Sequence, residues 1–495
     1  MKILFVYPKY PDTFWSYKHA LRFVSKKAAI PPLGLLTVAA MVPDAWEKRL
    51  VDLNTSKLSN EQIKWADMVF ISAMIVQKPS VQEVISRCKA LGKTIVAGGP
   101  AFTAQPEQYP DVTHLVLNEA EVTLPMFLRD FAQGKAKAVY TSQDKPALHQ
   151  TPVPLWSLIR LKDYAVIPVQ YSRGCPFNCE FCDIIIMYGR TPRTKTPSQL
   201  IAELQSLYDV GWRGDVFIVD DNFIGNKVTV KKMLPVLIEW QKERGIPFNL
   251  LTEASVNLAD DEELMTLMNQ ANFQNVFLGI ETPDMNGLKE CGKTQNASRN
   301  LSDSVKTIQQ HGMQVMGGFI IGFDTDNETI FQNQIDFIQQ TGIVTAMVGL
   351  LNALPHTPLW HRLNEQGRLL KESTSENTDG TLNFSPLMGE KKLVAGYRKV
   401  LGTIYSNKYY YRRINTFMRN YKPNNTKRMP KREEVFAFFR SMWHIGILSR
   451  ARFSYWNLVI RTFISKRKAF PVAIEMAIAG HHFRRITKQL LTASV

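Results

Sequence analysis

The sequence predicts an α/β chain in three parts: an N-terminal doubly wound parallel sheet of Rossmann-like form, a central partial (β/α)6 barrel, and a C-terminal helical domain. Three observations lead there. Residues 1–140 alternate short apolar runs with amphipathic segments, residues 164–358 repeat a strand–helix unit six times, and from 359 to 495 the strands give way to helical, aromatic and basic sequence. At 495 residues the chain also exceeds the roughly 250–300 that a single core organises, so several domains are expected.

In the first part the strands read KILFVYP (2–8), KRLVDL (48–53), DMVFISAM (67–74), KTIVAGG (93–99) and HLVLNEAE (114–121), with helical patterns such as PSVQEVISRCKALG (79–92) between them. Ligands of such sheets sit at the carboxyl ends of the strands, here near Ser72, Gly98, Gly99 and Glu119. Gly98-Gly99-Pro100 suits close approach of a cofactor to the backbone, and equally a plain strand-to-helix turn. Residues 141–163, with Pro146, Pro152 and Pro154, lack periodicity and read as a linker.

The second series runs AVIPVQYS (165–172), DVFIVDD (215–221), FNLLTEA (248–254), NVFLGIE (275–281), QVMGGFIIGF (314–323) and TAMVGLLNA (345–353). Its first helix is announced by Thr196-Pro197-Ser198-Gln199, an N-cap, a proline at the first position and a reciprocating glutamine. Polar residues gather at the strand ends, as expected of a barrel whose site lies at its C-terminal mouth.

Composition excludes several classes. The longest apolar candidate, AFPVAIEMAIAG (469–480), is short and carries Glu475, so no bilayer-spanning helix is expected. The opening MKILFVYPKYP runs into Pro8, Lys9 and Pro11 and reads as a buried strand rather than a signal peptide, which makes the cytoplasm the expected compartment. Five cysteines, three of them clustered, do not form a disulfide framework.

The cluster is Cys175, Cys179 and Cys182, in the loop after the first barrel strand. Three thiolates cannot close a tetrahedral zinc site, and no histidine lies between His149 and His311 to complete one. The alternatives are three buried unligated cysteines, or an iron–sulfur cluster with one iron left open to a small molecule.

The motif Cys175-x₃-Cys179-x-Phe181-Cys182 resembles the signature loop of the radical S-adenosylmethionine (SAM) superfamily. The resemblance implies a [4Fe–4S] cluster on Cys175, Cys179 and Cys182, SAM chelating the fourth iron, and reductive cleavage of SAM to a 5′-deoxyadenosyl radical. It also implies that Asp220, Asp221 and Asn222 grip SAM's amino group, that Glu253 and Glu281 end strands three and four near the ribose, and that Gly317, Gly318 and Gly322 let adenine pack on the backbone of strand five. Segments RGCPFNCEFCDI, YGRTPRTKTP, FIVDDNFIGN, LGIETP and LPHTPLW, preceded by a wound sheet and followed by a helical tail, are similar to cobalamin-binding-domain radical SAM proteins of the hopanoid C-2 methylase type. That family implies cobalamin, methyl transfer to an unactivated carbon of a polycyclic lipid, and an electron donor such as flavodoxin or ferredoxin. The chain lacks Asp-x-His-x-x-Gly, and His114 stands in Asp-Val-Thr-His, so the expectation is cobalamin held without a protein histidine on cobalt, over the loops at 72–76 and 98–102.

Other single residues read more plainly. Cys88 falls on an amphipathic helix as core packing. Cys291 follows strand four near the mouth, and Tyr188, Arg190 and Arg193 follow the cluster loop, where they suit SAM's carboxylate, the substrate or bulk solvent.

The net charge of +16 is concentrated in the last fifth of the chain, from Arg412 and Arg413 through Lys427, Arg428, Arg452, Arg461 and Arg467 to Lys488, mixed with Phe436, Phe439, Trp443, Phe453 and Phe463. That blend suits peripheral contact with an anionic membrane, an RNA surface, or an ordinary helical domain with solvated charges. Three function classes remain at this point: a radical SAM enzyme on an apolar substrate, with cobalamin; a radical SAM enzyme modifying RNA or another small molecule; and a non-enzymatic iron–sulfur protein that binds nucleic acid.

Overall fold

A computed structural model describes residues 1–376, 378–423 and 431–492; Lys427 and Arg428 of the basic tail lie outside the described residues. The N-terminal sheet is six-stranded and parallel, in order β2-β1-β3-β4-β5-β6. Its strands are β1 (Lys2–Tyr7), β2 (Glu47–Asp52), β3 (Met68–Ser72), β4 (Thr94–Gly98), β5 (His114–Val116) and β6 (Val139–Tyr140). Side chains alternate faces along each strand, so Leu4, Val6, Val69, Ile71, Ile95 and Ala97 enter one core while Ile3, Phe5, Met68, Phe70 and Val96 enter another on the opposite face. Burial on both faces explains why these strands read as continuous apolar runs. β6 is too short to carry a pattern, and β5 ends five residues before the apolar run suggests, because Glu119 opens the helix Ala120–Ala132. The segment expected to be a bare linker forms three short 3-10 turns that bury Leu148 and Trp156.

The second sheet is also parallel and six-stranded, in the order β14-β13-β12-β11-β10-β7. Its members are β7 (Val166–Val169), β10 (Asp215–Ile218), β11 (Asn249–Ala254), β12 (Phe273–Glu281), β13 (Gln314–Ile321) and β14 (Ala346–Leu350). A small antiparallel pair, β8 (Ser172–Arg173) with β9 (Arg193–Thr194), brackets the cysteine loop. Each large strand pairs with its sequence neighbour, and β7 and β14 remain edges, which makes an open, partial barrel. Thr196 caps the helix Pro197–Asp209 through a reciprocal bond with Gln199. Along β11, Leu250, Thr252 and Ala254 are buried outward against helices while Asn249, Leu251 and Glu253 turn inward.

The tail is helical: Glu390–Ile404, Asn407–Asn420, Arg432–Ser441 continued by a π-helical turn Met442–Ile447, Arg452–Ser465 and Phe470–Thr492. Tyr397, Tyr410, Ile414, Phe417 and Phe483 join the barrel's own core, so tail and barrel share one hydrophobic interior. No helix among the described residues is long and apolar enough to cross a membrane.

Candidate active site

The cysteine loop begins where β8 turns at Gly174, whose φ of +95° suits glycine and whose missing side chain leaves room for the Gly189 carbonyl, 2.9 Å from where a Cβ would stand. Cys175 N–H donates to the Gly189 carbonyl at 3.3 Å, and Cys182 N–H to the Cys179 carbonyl at 3.1 Å, which ties the start of the loop to Gly189 and closes a turn at its end. Cys179 is buried, and Cys175 and Cys182 are half-buried. Burial pushes all three thiols above their usual range, so a cation is needed to hold them as thiolates. Among the described residues no three Cys, His, Asp or Glu side chains converge to hold a single metal ion. Three thiols without a fourth donor fit a multi-iron cluster instead, in which each thiolate meets its own iron.

The acidic strand ends divide into two kinds. Asp220 is fully enclosed and accepts from Tyr171 N–H and the Ser172 hydroxyl, both at 2.7 Å; Asp221 accepts from Gly174 N–H at 2.8 Å. Both carboxylates therefore buttress the cysteine loop rather than face open space, and burial lifts them to about 7 and about 6. Asn222 sits under the loop with its amide 3.9 Å from Cys175 Sγ and 3.3 Å from Ser255 Oγ. Glu281, buried at the end of β12 with φ +64°, is paired with Lys293. Glu253 differs from all of these: it has no hydrogen-bond partner among the described residues, faces the barrel interior, and is raised to about 7 by burial and then by Asp221 and Asp220.

That interior is a cavity of about 2650 Å³, far larger than the roughly 300–1,000 Å³ of an ordinary ligand pocket. Trp15, Phe217, Leu251, Phe277, Met316 and Met347 form its apolar waist. Its upper end takes Glu253 with Tyr10, Met74 and Val76 of the N-terminal domain, and its lower end takes Glu475 of the helix Phe470–Thr492, raised to about 7 by burial. Of the sequence-predicted site residues, Glu253 alone is among those lining it. The space above Gly318 is filled by the Phe277 ring, 2.9 Å from an imagined Cβ; Gly317 makes room for Phe319 and Ile343, and Gly322 (φ +118°) for Leu393.

In the N-terminal sheet the switch point lies between β1 and β3, where Tyr7, Tyr10, Ser72 and Met74 meet: Tyr7 and Tyr10 hydroxyls are 2.7 Å apart and Tyr10 donates to Met74 Sδ at 3.2 Å. Gly99 (φ +91°) packs onto Ser72, and Gly98 onto the Val116 carbonyl, so both glycines are needed by contacts within the protein. His114 starts β5, at the opposite end of the sheet from this crevice, with Nδ1 2.6 Å from the Lys137 carbonyl.

Sequence reasoning missed what joins the parts. Arg173 reaches Glu119 at 2.8 Å and Glu121 at 2.7 Å, and Arg193 reaches Glu119 at 2.8 Å, forming a buried ionic clasp between the N-terminal sheet and the cysteine loop. Arg193 and Glu119 are thereby committed to each other rather than to a ligand. Arg190 is exposed and touches the Pro176 carbonyl, while the Tyr188 carbonyl accepts from Arg193. On the other flank Arg362 grips Glu180 with two bonds of 2.6 and 3.0 Å and Asp324 with one of 2.7 Å. Cys291 and Cys88 are buried, each within a core. Ion pairs between residues this far apart leave no spacing signal.

Comparison with known proteins agrees with this architecture. Residues 23–128 match the B12 binding domain, 169–338 the radical SAM superfamily, and 357–494 a domain of unknown function (DUF4070). The chain is 41% identical to an uncharacterized methyltransferase of Synechocystis sp., over 99% of this chain and 93% of that one. It is 33% identical to the hopanoid C-2 methylase of Rhodopseudomonas palustris, over 97% and 92%. The radical SAM methyltransferase TsrM from Kitasatospora setae, solved with cobalamin and a [4Fe-4S] cluster, shares the fold with a TM-score of 0.61 at 15% identity, over 97% of this chain and 99% of that one.

Proposed function

The chain belongs to the cobalamin-dependent radical SAM methyltransferases, and from that premise we propose that it methylates an unactivated carbon of a polycyclic, apolar lipid of the hopanoid type. Family membership removes the reading of a non-enzymatic iron–sulfur nucleic-acid-binding protein. The observation that carries the substrate proposal is the cavity: an apolar waist with a carboxyl at either end, Glu253 above and Glu475 below, suits an amphiphile with a rigid hydrocarbon body. Glu253 stands four residues beyond Asn249, so the inward face of β11 alone spans about 13 Å.

Cys175, Cys179 and Cys182 would hold the [4Fe–4S] cluster, and the loops after β1 and β3 would hold the corrinoid. When bound, the cluster and SAM supply one-electron reductive chemistry and cobalamin supplies the methyl group. The protein's own residues do the rest. Asp221 fixes the start of the cysteine loop by its backbone, Asp220 anchors the strand that leads into it, Arg362 fixes it through Glu180, and Arg173 sets it against the N-terminal sheet. Burial raises the Glu253 carboxyl toward neutral pH, where its protonated form can donate to a polar group at the upper end. Phe217, Leu251, Phe277, Met316 and Met347 wall water away from the reacting carbon. An electron donor such as flavodoxin or ferredoxin would supply the electron.

The test is anaerobic reconstitution with iron, sulfide and hydroxocobalamin, followed by SAM, reductant and a detergent-dispersed hopanoid. A product one methyl group heavier, formed with 5′-deoxyadenosine, is expected. Production of 5′-deoxyadenosine without a methylated lipid, or with methylated RNA instead, overturns the substrate proposal.

A further inference from the structure

The tail's aromatics divide by location. Tyr410, Tyr411, Phe417, Tyr421 and Tyr455 are core, whereas Phe436 and Phe439 of the helix Arg432–Ser441, Trp443 of its π-helical extension, and Phe453 and Phe463 of the helix Arg452–Ser465 face outward. Phe436, Phe439, Trp443 and Ile447 recur at helical spacing on the first, and Phe453, Ile460 and Ile464 on the second; Phe453 is 78% exposed and Ile464 71%. Phe438 and Phe463 both pack on Phe470, with ring centres 5.4 and 5.7 Å away, so the two helices meet there. Exposed apolar side chains on two helices that both pack on Phe470 mark an interaction surface.

Its rim is cationic. Residues 431–468 hold nine lysines and arginines against two glutamates. Arg452 lies over the Phe453 ring at 5.0 Å and Arg467 over Phe463 at 5.5 Å, each placing a charge at the edge of an exposed aromatic. Arg450, Arg452, Arg461 and Arg467 are exposed and make no ion pair among the described residues. The face is also continuous with the cavity, because Val435, Phe438, Phe439 and Phe470 line the lower end of that space.

We propose that this face seats the enzyme on a bilayer containing anionic phospholipid, and that the lipid substrate enters the barrel from that bilayer past Phe438, Phe439 and Phe470, at the end opposite the cysteine loop. The entry route rests on the lipid substrate proposed above; the docking rests on the surface alone. Charge complementarity chooses the occupant. Two copies joined through this face would set like charges together, whereas anionic headgroups neutralise the rim and acyl chains receive the aromatics. Ile447, Ile460 and Ile464 offer nothing for a nucleic-acid base to stack on.

The experiment is co-sedimentation of the full chain with vesicles of phosphatidylcholine, with and without phosphatidylglycerol, read without turnover. Binding to the anionic vesicles, weakened by salt and accompanied by a blue shift of tryptophan emission, is expected. Trp443→Ser combined with Phe453→Ser and Ile464→Ser should weaken it about tenfold or more. Arg452→Gln, Arg461→Gln and Arg467→Gln should each weaken it about fivefold, on anionic vesicles only. These exposed positions should leave the melting temperature and SAM cleavage unchanged. Absence of vesicle binding, binding indifferent to the substitutions, or substitutions that instead dissolve a dimer or abolish RNA binding would overturn the docking. Methylation of a detergent-dispersed hopanoid without vesicle binding would overturn docking and keep the substrate; vesicle binding without methylation would do the reverse.

Discussion

The two parallel sheets present their carboxyl ends to one interior, and they are built in opposite ways. The barrel end is cross-linked: three carboxylates, two arginines and a left-handed glycine brace the cysteine loop and the strand that leads into it. The N-terminal end is sparse, a crevice of two tyrosines, a serine and a methionine with little ionic bracing of its own. An iron–sulfur cluster is held by a few coordinate bonds that demand exact thiol positions, whereas a flat corrinoid is held by shape over a broad surface. The contrast teaches that rigidity here follows the bonding of the cofactor, and each prediction below strains one side of it.

The largest effect should come from the thiols. Cys175→Ala, Cys179→Ala or Cys182→Ala should each abolish SAM cleavage and strip iron on gel filtration after reconstitution, because each thiolate would fill its own iron and the fourth is left to SAM. Cys88→Ala, in the core of the N-terminal domain, should retain full iron content. Cleavage surviving in all three loop variants, or iron lost from the Cys88 variant, would dissolve the contrast.

Next comes the clasp between the two ends. Arg173→Ala leaves Glu121 buried without its cation and Glu119 with Arg193 alone, and should destabilise the protein by about 3–5 kcal/mol in chemical denaturation. Burial pushes Glu121 up, and Arg173 pulls it down to about 2, below the 4.5 of an exposed glutamate. The unfolded chain therefore binds the proton more readily, and this contribution is complete above about pH 4.5 and lost as pH falls toward 2. Denaturation midpoints measured from pH 6 to 3 should fall for the wild type and fall less for the variant.

How much of this was legible depended on distance along the chain. The thiols fall within eight residues, and the barrel strands are apolar runs long enough to show, so both were readable. Asp220 and Asp221 were readable as polar strand ends, yet which way they turn is set by Tyr171, Ser172 and Gly174, nearly fifty residues earlier. Arg173 with Glu121, or Arg362 with Glu180, meet only once the fold exists. The same holds for the cavity: Phe217, Phe277 and Glu475 share a wall because the strands curve and the last helix crosses their lower end.

A smaller effect separates Glu253 from the braced carboxylates. Its folded value of about 7 exceeds the 4.5 of an exposed glutamate, so the folded protein holds the proton more tightly. Its contribution is complete below about pH 4.5 and is lost as pH rises to 7, with no further change above. Asp220, Asp221 and Glu475 act in the same direction, so Glu253→Gln should reduce, not abolish, the loss of stability between pH 5 and 8. Asp220→Asn should instead loosen the cysteine loop and release iron faster, which Glu253→Gln should not. Equal iron loss from both variants would show that Glu253 also braces the loop.

The smallest effect tests the sparse end. His114 is the histidine that belongs to the N-terminal strands, and it lies at the amino end of β5, bonded to the Lys137 carbonyl and against the Phe127 ring. Ligands of a wound sheet gather at the carboxyl ends, so the length of the strand separates this imidazole from the crevice at Tyr10 and Met74. His114→Ala should therefore change hydroxocobalamin retention by less than about twofold, a cost confined to packing on one face of the sheet. Electron paramagnetic resonance of the reduced Co(II) form should show no nitrogen splitting from an axial imidazole, in wild type and variant alike. Met74→Ala should weaken retention more, because Met74 stands at the crevice with its side chain half in the open. Nitrogen splitting that disappears with His114→Ala would mean the sheet presents its other end to the corrinoid, and the contrast between a bonded and a shape-held cofactor would fail at its weaker side.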